Sequence, residues 1–182
     1  HIIQNHLSDK KIDIPKEELG RCMVVEKMNV LPIEAIVRGH LAGSAWENYK
    51  KNNVIEGVSI NNKFTKYQQF KEPIFTPSTK AEVGQKDENI SFNQMKEIIG
   101  EDLSEEVKNI SIKLYNFAYN YAKNQGVIIA DTKFEFGLDG DNNLVLVDEI
   151  FTPDCSRFWL IDNDNSEINY ESFDKQFFRD YL

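Results

Sequence analysis

Three charged residues alternate with apolar ones in the segment IADTKFEFG (129–137). Asp131, Lys133 and Glu135 therefore share one face of a predicted strand, because successive side chains of a strand point to opposite faces. Carboxylate oxygens are ligands that Mg²⁺ accepts, and a lysine between two carboxylates can hold an anion while charge moves. The spacing thus predicts phosphate and metal chemistry on this face. The opposite face would pack on the core through Thr132, Phe134 and Phe136.

The segment continues into a turn and a second strand, LVLV, which leads to Asp148. In an antiparallel hairpin, a carboxylate at this position can lie across from the 131–135 stretch. Oxygen ligands from two strands would then converge. A solvated hairpin face with cross-strand ion pairs, each contributing roughly 0.2–1 kcal/mol, would produce the same pattern.

A second set of residues is suited to binding an anion. Arg38 ends a β-rich run, and Ser44 follows Gly43 at the predicted start of a helix, where Ser44 and Glu47 match a capping box. A guanidinium, a hydroxyl and the backbone amides of a helix N-terminus together favour phosphate. Each residue also has a simpler role, since Ser44 can serve only as a cap and Arg38 only as a surface cation.

Two further arginines lie near the same predicted features. Arg157 follows the hairpin in TPDCSRFW, and Arg179 ends FDKQFFR. In a protein with 21 Lys and Arg against 30 Asp and Glu, such a grouping favours an anionic ligand, although each arginine can be an ordinary ion-pair partner.

Composition limits the class of protein. The 182 residues are 41% hydrophobic, which is enough for a buried core, and the net charge of -9 argues against a nucleic-acid partner. The sequence has no long apolar run and no signal-peptide pattern, so we expect no membrane association and a cytoplasmic location. Two distant cysteines, Cys22 and Cys155, predict neither a disulfide framework nor structural zinc.

The order of predicted elements favours an α+β fold, because strands and helices mix without strict βαβ alternation. The 53–90 stretch, rich in charges and containing two prolines, is predicted as a long loop. The helix over 104–125 would bury Val107, Ile110, Leu114, Phe117, Ala118 and Tyr121. The other predicted elements are strands at 22–28 and 34–41, helices at 45–52 and 91–99, the hairpin 127–148, a strand at 157–161 and a helix from about Ser172.

Two long motifs resemble one protein family. VLPIEAIVRGHLAGS (30–44) and IADTKFEFG are similar to the signature stretches of SAICAR synthetases. Further segments, EPIFTPSTKAEVGQKDENIS, LVDEIFTPDCSRFW and SFDKQFFRD, look like the form of the family that has a TPSTK loop. The resemblance covers nearly the whole chain.

The resemblance implies an ATP-dependent ligase of purine biosynthesis. Such enzymes join the carboxylate of the imidazole nucleotide CAIR to L-aspartate, giving SAICAR, ADP and phosphate, by a route thought to pass through an acyl phosphate. The implied partners are CAIR, L-aspartate and ATP, with Mg²⁺ as cofactor; the oligomeric state stays open. The implied fold has two lobes, similar in outline to protein kinases, with the ATP and Mg²⁺ cleft between them.

The resemblance also implies a division of the chain. Residues 1–25 would be the end of an N-terminal ATP-binding lobe, and residues 26–182 would form the larger lobe with the CAIR site and the hairpin. The chain begins without Met, and it lacks the glycine-containing phosphate loop of that first lobe. We therefore expect a piece of a longer protein that binds ATP poorly by itself.

Residue roles follow from the same resemblance. Glu135 and Asp148 would bind Mg²⁺ and take part in ATP binding, and Lys133 would contact the transferred phosphoryl group; these three would be the catalytic residues. The CAIR phosphate would be held by Arg38, Ser44 and Arg157, and its ribose or imidazole by Asp131 and Arg179. The linker beside adenine would comprise Val25, Glu26, Lys27 and Met28. The loop residues Ser78, Thr79 and Lys80 would hold aspartate or close the cleft, and Asp87 would position substrate.

Two other functions fit the same residues. A phosphotransferase acting on another small anion would share the hairpin without needing the Arg38 and Ser44 site, and it would not depend on aspartate. A non-catalytic nucleotide-binding module is the third interpretation.

Overall fold

The computed structural model describes Pro15, Glu17 and residues 25–55, 63–80, 87–162 and 167–175. The strands are β1 (Asn29–Val30), β2 (Ile33–His40), β3 (Gln69–Thr79), β4 (Val127–Leu138), β5 (Leu144–Val147), β6 (Ser156–Ile161) and β7 (Ile168–Asn169). The helices are α1 (Gly43–Asn52), α2 (Phe92–Ile99) and α3 (Glu101–Asn124).

Within these ranges the strands form one antiparallel sheet in the order β3-β2-β4-β6-β7, while β1 and β5 also pair with β4. The twelve-residue β4 is the central strand and pairs with β6, β2, β5 and β1 in turn along its length. Helix α3 packs against β4, β2 and β3. The mixture of an antiparallel sheet with helices confirms the α+β prediction.

The core lies between the sheet and the helices. It includes Phe134 and Phe136 on β4, Trp159 on β6, and Met95 and Val107 on the helices, all of them at most 1% exposed. Phe134 and Phe136 thus occupy the core face that the alternation in the sequence predicts. A second, smaller cluster joins α1 to the start of β3 through Leu41, Ala45, Tyr49, Ile55 and Phe70.

The predicted loop over 53–90 is wrong at Gln69–Thr79, which form the strand β3. Its prolines, Pro73 and Pro77, suggested a loop because proline cannot donate a ladder hydrogen bond. The strand tolerates them because β3 lies at the edge of the described sheet, where β2 is its neighbouring strand and the other described pairing is an isolated bridge between Ser78 and Asn89. Ser78 and Thr79 therefore end an edge strand.

The predicted face of the long helix is also partly wrong. Phe117 and Tyr121 are 77% and 68% exposed. The buried positions of α3 instead follow a row that includes two serines, and the hydroxyl of Ser104 donates to the carbonyl of Gly100 at 2.6 Å. Buried serines add nothing to an apolar pattern, so a prediction that counts only apolar residues is rotated from the true face. That row consists of Ser104, Val107, Ser111, Tyr115 and Tyr119.

Three smaller predictions also need correction. The N-cap of α1 is Ala42, with no side-chain cap, so Ser44 is not a capping residue. Residues 25–28 of the predicted strand at 22–28 are not in a strand, and 22–24 lie outside the described residues. Of the helix predicted from Ser172, residues 172–175 are not helical, and the rest lies outside the described part.

The remaining elements agree with the sequence. Ser91 and Gln94 form the predicted capping box of α2, and Gly100, with φ +88°, separates α2 from α3. The hairpin of β4 and β5 and the strand β6 are also confirmed. Among the helices described here, none is long and apolar enough to cross a lipid bilayer.

Replacement of Trp159 by Ala tests the core. Its ring is fully buried, 5.2 Å from the ring centroids of His40 and Tyr67. We expect the free energy of unfolding to fall by about 3–5 kcal/mol because the lost contacts leave a cavity. Leu160→Ala, at the neighbouring position that is 39% exposed, should cost about 1 kcal/mol. Urea unfolding measures both, and equal losses would contradict the difference in burial between Trp159 and Leu160.

Candidate functional site

A cleft of about 930 Å³ lies over one face of the sheet. Its floor consists of residues from β2, β4 and β6, including Glu34, Arg38, Asp131, Lys133 and Arg157. Its rim comes from the start of α1, the turn before β3 and residues 170–175. Because α3 covers the opposite face, the charged residues of β4 face the cleft and its aromatic residues face the core.

One end of the floor is a row of three charges across three strands. Arg38 on β2 is directly opposite Asp131 on β4, and Asp131 is directly opposite Arg157 on β6. The Nη1 atom of Arg38 lies 3.7 Å from Oδ2 of Asp131, and Nη1 of Arg157 donates to the same oxygen. One carboxylate thus separates two guanidinium groups, and the row carries a net positive charge.

Arg38 is held by neutral oxygens as well. It is 4% exposed, its Nε donates to Oγ1 of Thr76 at 2.9 Å, and its Nη2 donates to Oγ of Ser44 at 3.3 Å. A buried guanidinium needs such partners, because leaving its donors unpaired costs free energy. The guanidinium is therefore fixed in the wall of the cleft.

Gly43 makes room for the second arginine. It begins α1 with φ +53°, and a Cβ atom there would lie 2.7 Å from Nη2 of Arg157. Only glycine gives both the left-handed backbone and the space that the guanidinium takes. Ser44 and the N-terminus of α1 consequently lie beside Arg38 and Arg157, in the combination that the sequence predicted for an anion.

At the other end of the floor, a cation lies between two carboxylates instead of a carboxylate between two cations. Lys133 donates from Nζ to Oε1 of Glu34 at 2.7 Å and to Oε1 of Glu135 at 3.0 Å. Lys80 pairs with Oε2 of Glu135, and Oγ of Ser78 donates to Oε2 of Glu34 at 3.2 Å. Three strands thus contribute to one network of two carboxylates and two ammonium groups.

These contacts change the proton affinities. Burial by itself would raise the pKa of Glu135, but hydrogen bonds from Lys80 and Lys133 outweigh it, so the pKa is lowered. Burial would likewise lower the pKa of Lys133, and its bonds to Glu34 and Glu135 raise the pKa instead. Both groups are therefore charged at neutral pH, and this end of the cleft presents ionised carboxylate oxygens.

Asp148 lies one residue beyond β5. Val147 pairs with Glu135, so Asp148 comes directly after the last pair of the β4–β5 ladder. It therefore lies next to the end of the floor that contains Glu34 and Glu135, the acidic end. Asp148 is exposed and has φ +61°. Within the ranges that the structure covers, no three His, Cys, Asp or Glu side chains form a group that could hold a metal ion. Glu135 on β4 and Asp148 just after β5 are thus two carboxylates close in the hairpin, and their role as Mg²⁺ ligands stays a prediction.

The other predicted site residues are distributed unevenly. Asp87 lines the cleft, as Ser78 does. Thr79 forms local bonds, since its Oγ1 accepts from the amide of Glu88 at 3.1 Å. Val25, Glu26 and Lys27 are exposed and Met28 is half-buried, in a segment without regular structure that leads into β1. Arg179 lies outside the described residues.

Sequence reasoning missed several residues of the cleft. Glu34 precedes Arg38 by four positions on one strand, so the same alternation that selected Asp131, Lys133 and Glu135 would have placed it on the cleft face. Thr76 and the aromatic rings of Tyr67 and Tyr170, stacked at 4.4 Å, gave no such signal. The positions of these residues depend on how β3 pairs with β2 and on how the 167–175 segment packs beside the turn before β3.

Comparison with known proteins identifies the family. The family model of SAICAR synthetase matches residues 1–182. The chain belongs to the SAICAR synthetase family. It is 49% identical to the phosphoribosylaminoimidazole-succinocarboxamide synthases of Leptothrix cholodnii and Komagataella pastoris. All of this chain is covered, but it spans only 64% and 59% of those relatives' lengths.

Solved structures of the family have the same fold. The Saccharomyces cerevisiae SAICAR synthase complexed with SAICAR is 48% identical, with a TM-score of 0.74, over 86% of this chain and 50% of that chain. A SAICAR synthetase in complex with ADP is 29% identical, with a TM-score of 0.67, over 86% of this chain and 59% of that chain.

Lys133→Met tests the acidic network. Without the ammonium, Glu34 and Glu135 face each other across the floor, and we expect a loss of about 1–3 kcal/mol in the free energy of unfolding at pH 7. The pKa of Glu135, which its hydrogen bond with Lys133 helps to lower in the native protein, should then rise. A raised carboxyl pKa favours the folded state at low pH, and this contribution is lost as pH rises. The deficit against the native protein should therefore shrink between pH 7 and pH 5.

The matched control is Lys133→Arg, which keeps a cation between the carboxylates and should show a smaller deficit with little pH dependence. Urea unfolding at several pH values measures both variants. A deficit in Lys133→Met that does not change with pH would mean that the carboxylates do not depend on Lys133.

Proposed function

We propose that the protein containing this chain is the ATP-dependent ligase that joins CAIR and L-aspartate to give SAICAR, ADP and phosphate. The observation that carries the proposal is the charge row Arg38–Asp131–Arg157 beside Ser44, in a chain that belongs to this family. The relatives' name and the complexes with SAICAR and ADP support it.

The cationic end of the cleft is suited to the phosphate of CAIR. Two guanidinium groups, a hydroxyl and the start of α1 supply donors within one small region, while Asp131 offsets only one of the two positive charges. A phosphate brings the opposite charge and three acceptor oxygens, so it would bind there through charge-assisted hydrogen bonds. Asp131 would also accept from hydroxyls of the ribose, and Arg179 would contact the ribose or imidazole part.

The acidic end is suited to the phosphates of ATP. Glu135 and Asp148 supply only oxygen donors, and protein-bound Mg²⁺ commonly takes one or two carboxylates together with phosphate oxygens. These residues fit the ion, which when bound would neutralise charge on the phosphates. Lys133, fixed between Glu34 and Glu135, would stabilise negative charge on the transferred group.

The chemistry needs no protein nucleophile. An oxygen of the CAIR carboxylate attacks the γ-phosphorus of ATP, the bond to ADP breaks, and an acyl phosphate forms. The amino nitrogen of aspartate then attacks the acyl carbon, phosphate leaves, and the nitrogen loses its proton. The residues mainly align the reactants and stabilise charge, as is usual for phosphoryl transfer.

Further features belong to the same proposal. The fold would have two lobes, in outline like protein kinases, with residues 1–25 ending the first lobe and 26–182 forming the second. Val25, Glu26, Lys27 and Met28 would line the adenine site, while Ser78, Thr79 and Lys80 would hold aspartate and Asp87 would position substrate. A cytoplasmic location remains a prediction.

The first test is an assay of the full-length protein with Mg²⁺, ATP and CAIR, with and without L-aspartate, in which ADP and the succinocarboxamide product are both measured. Product that requires all three substrates is the expected result. ADP release that does not depend on aspartate would favour a phosphotransferase, and no turnover together with nucleotide binding would favour a binding module.

Arg157→Ala tests the phosphate site. Loss of a charge-assisted contact should raise the KM for CAIR by an amount equivalent to about 1.5–3 kcal/mol, with a much smaller change for ATP. Lys175→Ala is the control, because it removes the same charge from the rim, where Lys175 pairs with the exposed Asp154 at 3.1 Å. Equal effects of the two variants would indicate that the overall positive charge near the cleft, and not a contact made by Arg157, determines the KM for CAIR.

Asp148→Asn tests the proposed metal ligand. The substitution keeps the size of an exposed side chain, so the fold should be unaffected while the Mg²⁺ concentration for half-maximal rate rises. Asp141→Asn, in the turn of the same hairpin, should leave that concentration unchanged. A native rate for Asp148→Asn at limiting Mg²⁺ would exclude the ligand role.

A further inference from the structure

A buried tyrosine connects helix α3 to the two central strands below the charge row. Tyr115 is 2% exposed, and its hydroxyl donates to the carbonyl of Ile129 at 2.6 Å. The backbone amide of Gly39 donates to the same hydroxyl oxygen. One side chain therefore bonds to β2 and to β4 at once.

The contact with Gly39 leaves no room for a side chain. A Cβ atom at Gly39 would lie 1.9 Å from Oη and 2.9 Å from Cζ of Tyr115. Glycine is thus needed here because of the close approach of the ring and not because of its backbone angles.

The bonds are made where the sheet is irregular. The ladder between β2 and β4 includes Arg38 opposite Asp131 as its last pair. Directly beyond that pair, β4 has a bulge between Ile129 and Asp131 against β6, and β2 changes register between Arg38 and His40 against β3. Gly39 and Ile129, the partners of Tyr115, are the backbone groups at these two irregularities.

We propose that Tyr115 is a positioning residue for the anion site, acting from the opposite face of the sheet. Its hydroxyl replaces the ladder bond that is missing beyond Arg38 and Asp131 and so fixes the directions in which these two side chains enter the cleft. This extends the proposed function, and it rests on that function in taking the charge row as the place where the substrate phosphate binds.

The hydroxyl has the properties that this role needs. Burial raises the pKa of Tyr115, so the group stays protonated and can donate while it accepts from Gly39. Without it, a buried amide and a buried carbonyl at the irregularities would lack their partner, and the strands would have to shift to satisfy them. Because bulges are the points at which strands bend, the shift would change the separation of Arg38 and Asp131.

Tyr119 provides a matched control. It lies one turn further along α3, stacks on Tyr115 with ring centroids 5.7 Å apart, and its hydroxyl accepts from Nε2 of Gln69 at 3.0 Å. Its bond is to the start of β3 and not to the junction of β2 and β4. Tyr119→Phe therefore removes a similar hydroxyl from the same helix face, at the β3 side of the register change, and leaves the bonds at Gly39 and at the β4 bulge in place.

The experiment compares Tyr115→Phe with Tyr119→Phe in the full-length protein. Titration with inorganic phosphate should give a dissociation constant about three- to tenfold higher for Tyr115→Phe, the range expected for one lost hydrogen bond, and an unchanged value for Tyr119→Phe. In turnover, Tyr115→Phe should raise the KM for CAIR by a similar factor while the KM for ATP stays within twofold. Equal phosphate affinity in both variants would overturn the proposal.

A double-variant cycle separates positioning from a general loss of stability. If Tyr115 acts through Arg38, Tyr115→Phe should have little further effect on phosphate affinity in an Arg38→Ala background. Additive effects would overturn the proposal. The phosphate titration needs no catalysis, so failure of the ligase assay with native phosphate binding would count against the proposed function and not against the role of Tyr115.

A measurement on the unmodified protein covers the case in which Tyr115→Phe does not fold. If the position of the strands affects phosphate affinity, phosphate binding must in turn stabilise that position. Phosphate should therefore slow hydrogen exchange at the Gly39 amide more than at amides in the middle of α3. Uniform slowing, or none at Gly39, would overturn the proposal.

Discussion

The carboxylate of Asp131 is the contact on which the arrangement of the cleft depends. It lies between Arg38 and Arg157 on the two strands that flank β4, and all three residues are largely buried. Two guanidinium groups on the same face would repel each other without it. Because the register of both ladders places the carboxylate directly between them, pairing of the backbone and pairing of the charges require the same alignment of strands. A slip by one residue would move each charged side chain to the core face.

Burial of these charges needs compensation, and the structure supplies it locally. Arg38 uses Thr76 and Ser44 in addition to Asp131, and Arg157 takes the space left by Gly43. At the other end, Lys133 lies between Glu34 and Glu135. The floor therefore divides into a net cationic region and a network of two carboxylates and two ammonium groups, a few residues apart on the same strands. Under the proposed function, the cationic region would hold the phosphate of CAIR, and the other end would hold the phosphates of ATP together with Mg²⁺.

Membership of the SAICAR synthetase family gives this division a chemical meaning. The proposed reaction brings together a phosphorylated nucleotide, ATP and an amino acid, and it requires mainly charge stabilisation and alignment of the reactants. The chain spans about three fifths of its relatives' lengths, and it nevertheless contains both charged regions and the helix α3 that supports them from behind. Tyr115 connects α3 to the junction of β2 and β4. The packing of the core at Tyr115 and the free energy of binding in the cleft are therefore coupled.

The amino-acid sequence by itself determined the alternation of β4, the hairpin, the capping box of α2 and the residue types of the anion site, because these follow from side-chain periodicity and local hydrogen bonding. Tertiary structure decided the rest. Pro73 and Pro77 lie in a strand because that strand is an edge, and Ser104 and Ser111 are buried because α3 meets the sheet along their row. Glu34 joins Lys133, and Tyr115 reaches Gly39, across 99 and 76 residues of chain. Contacts between residues so far apart depend on strand register and on helix packing, which no local pattern encodes.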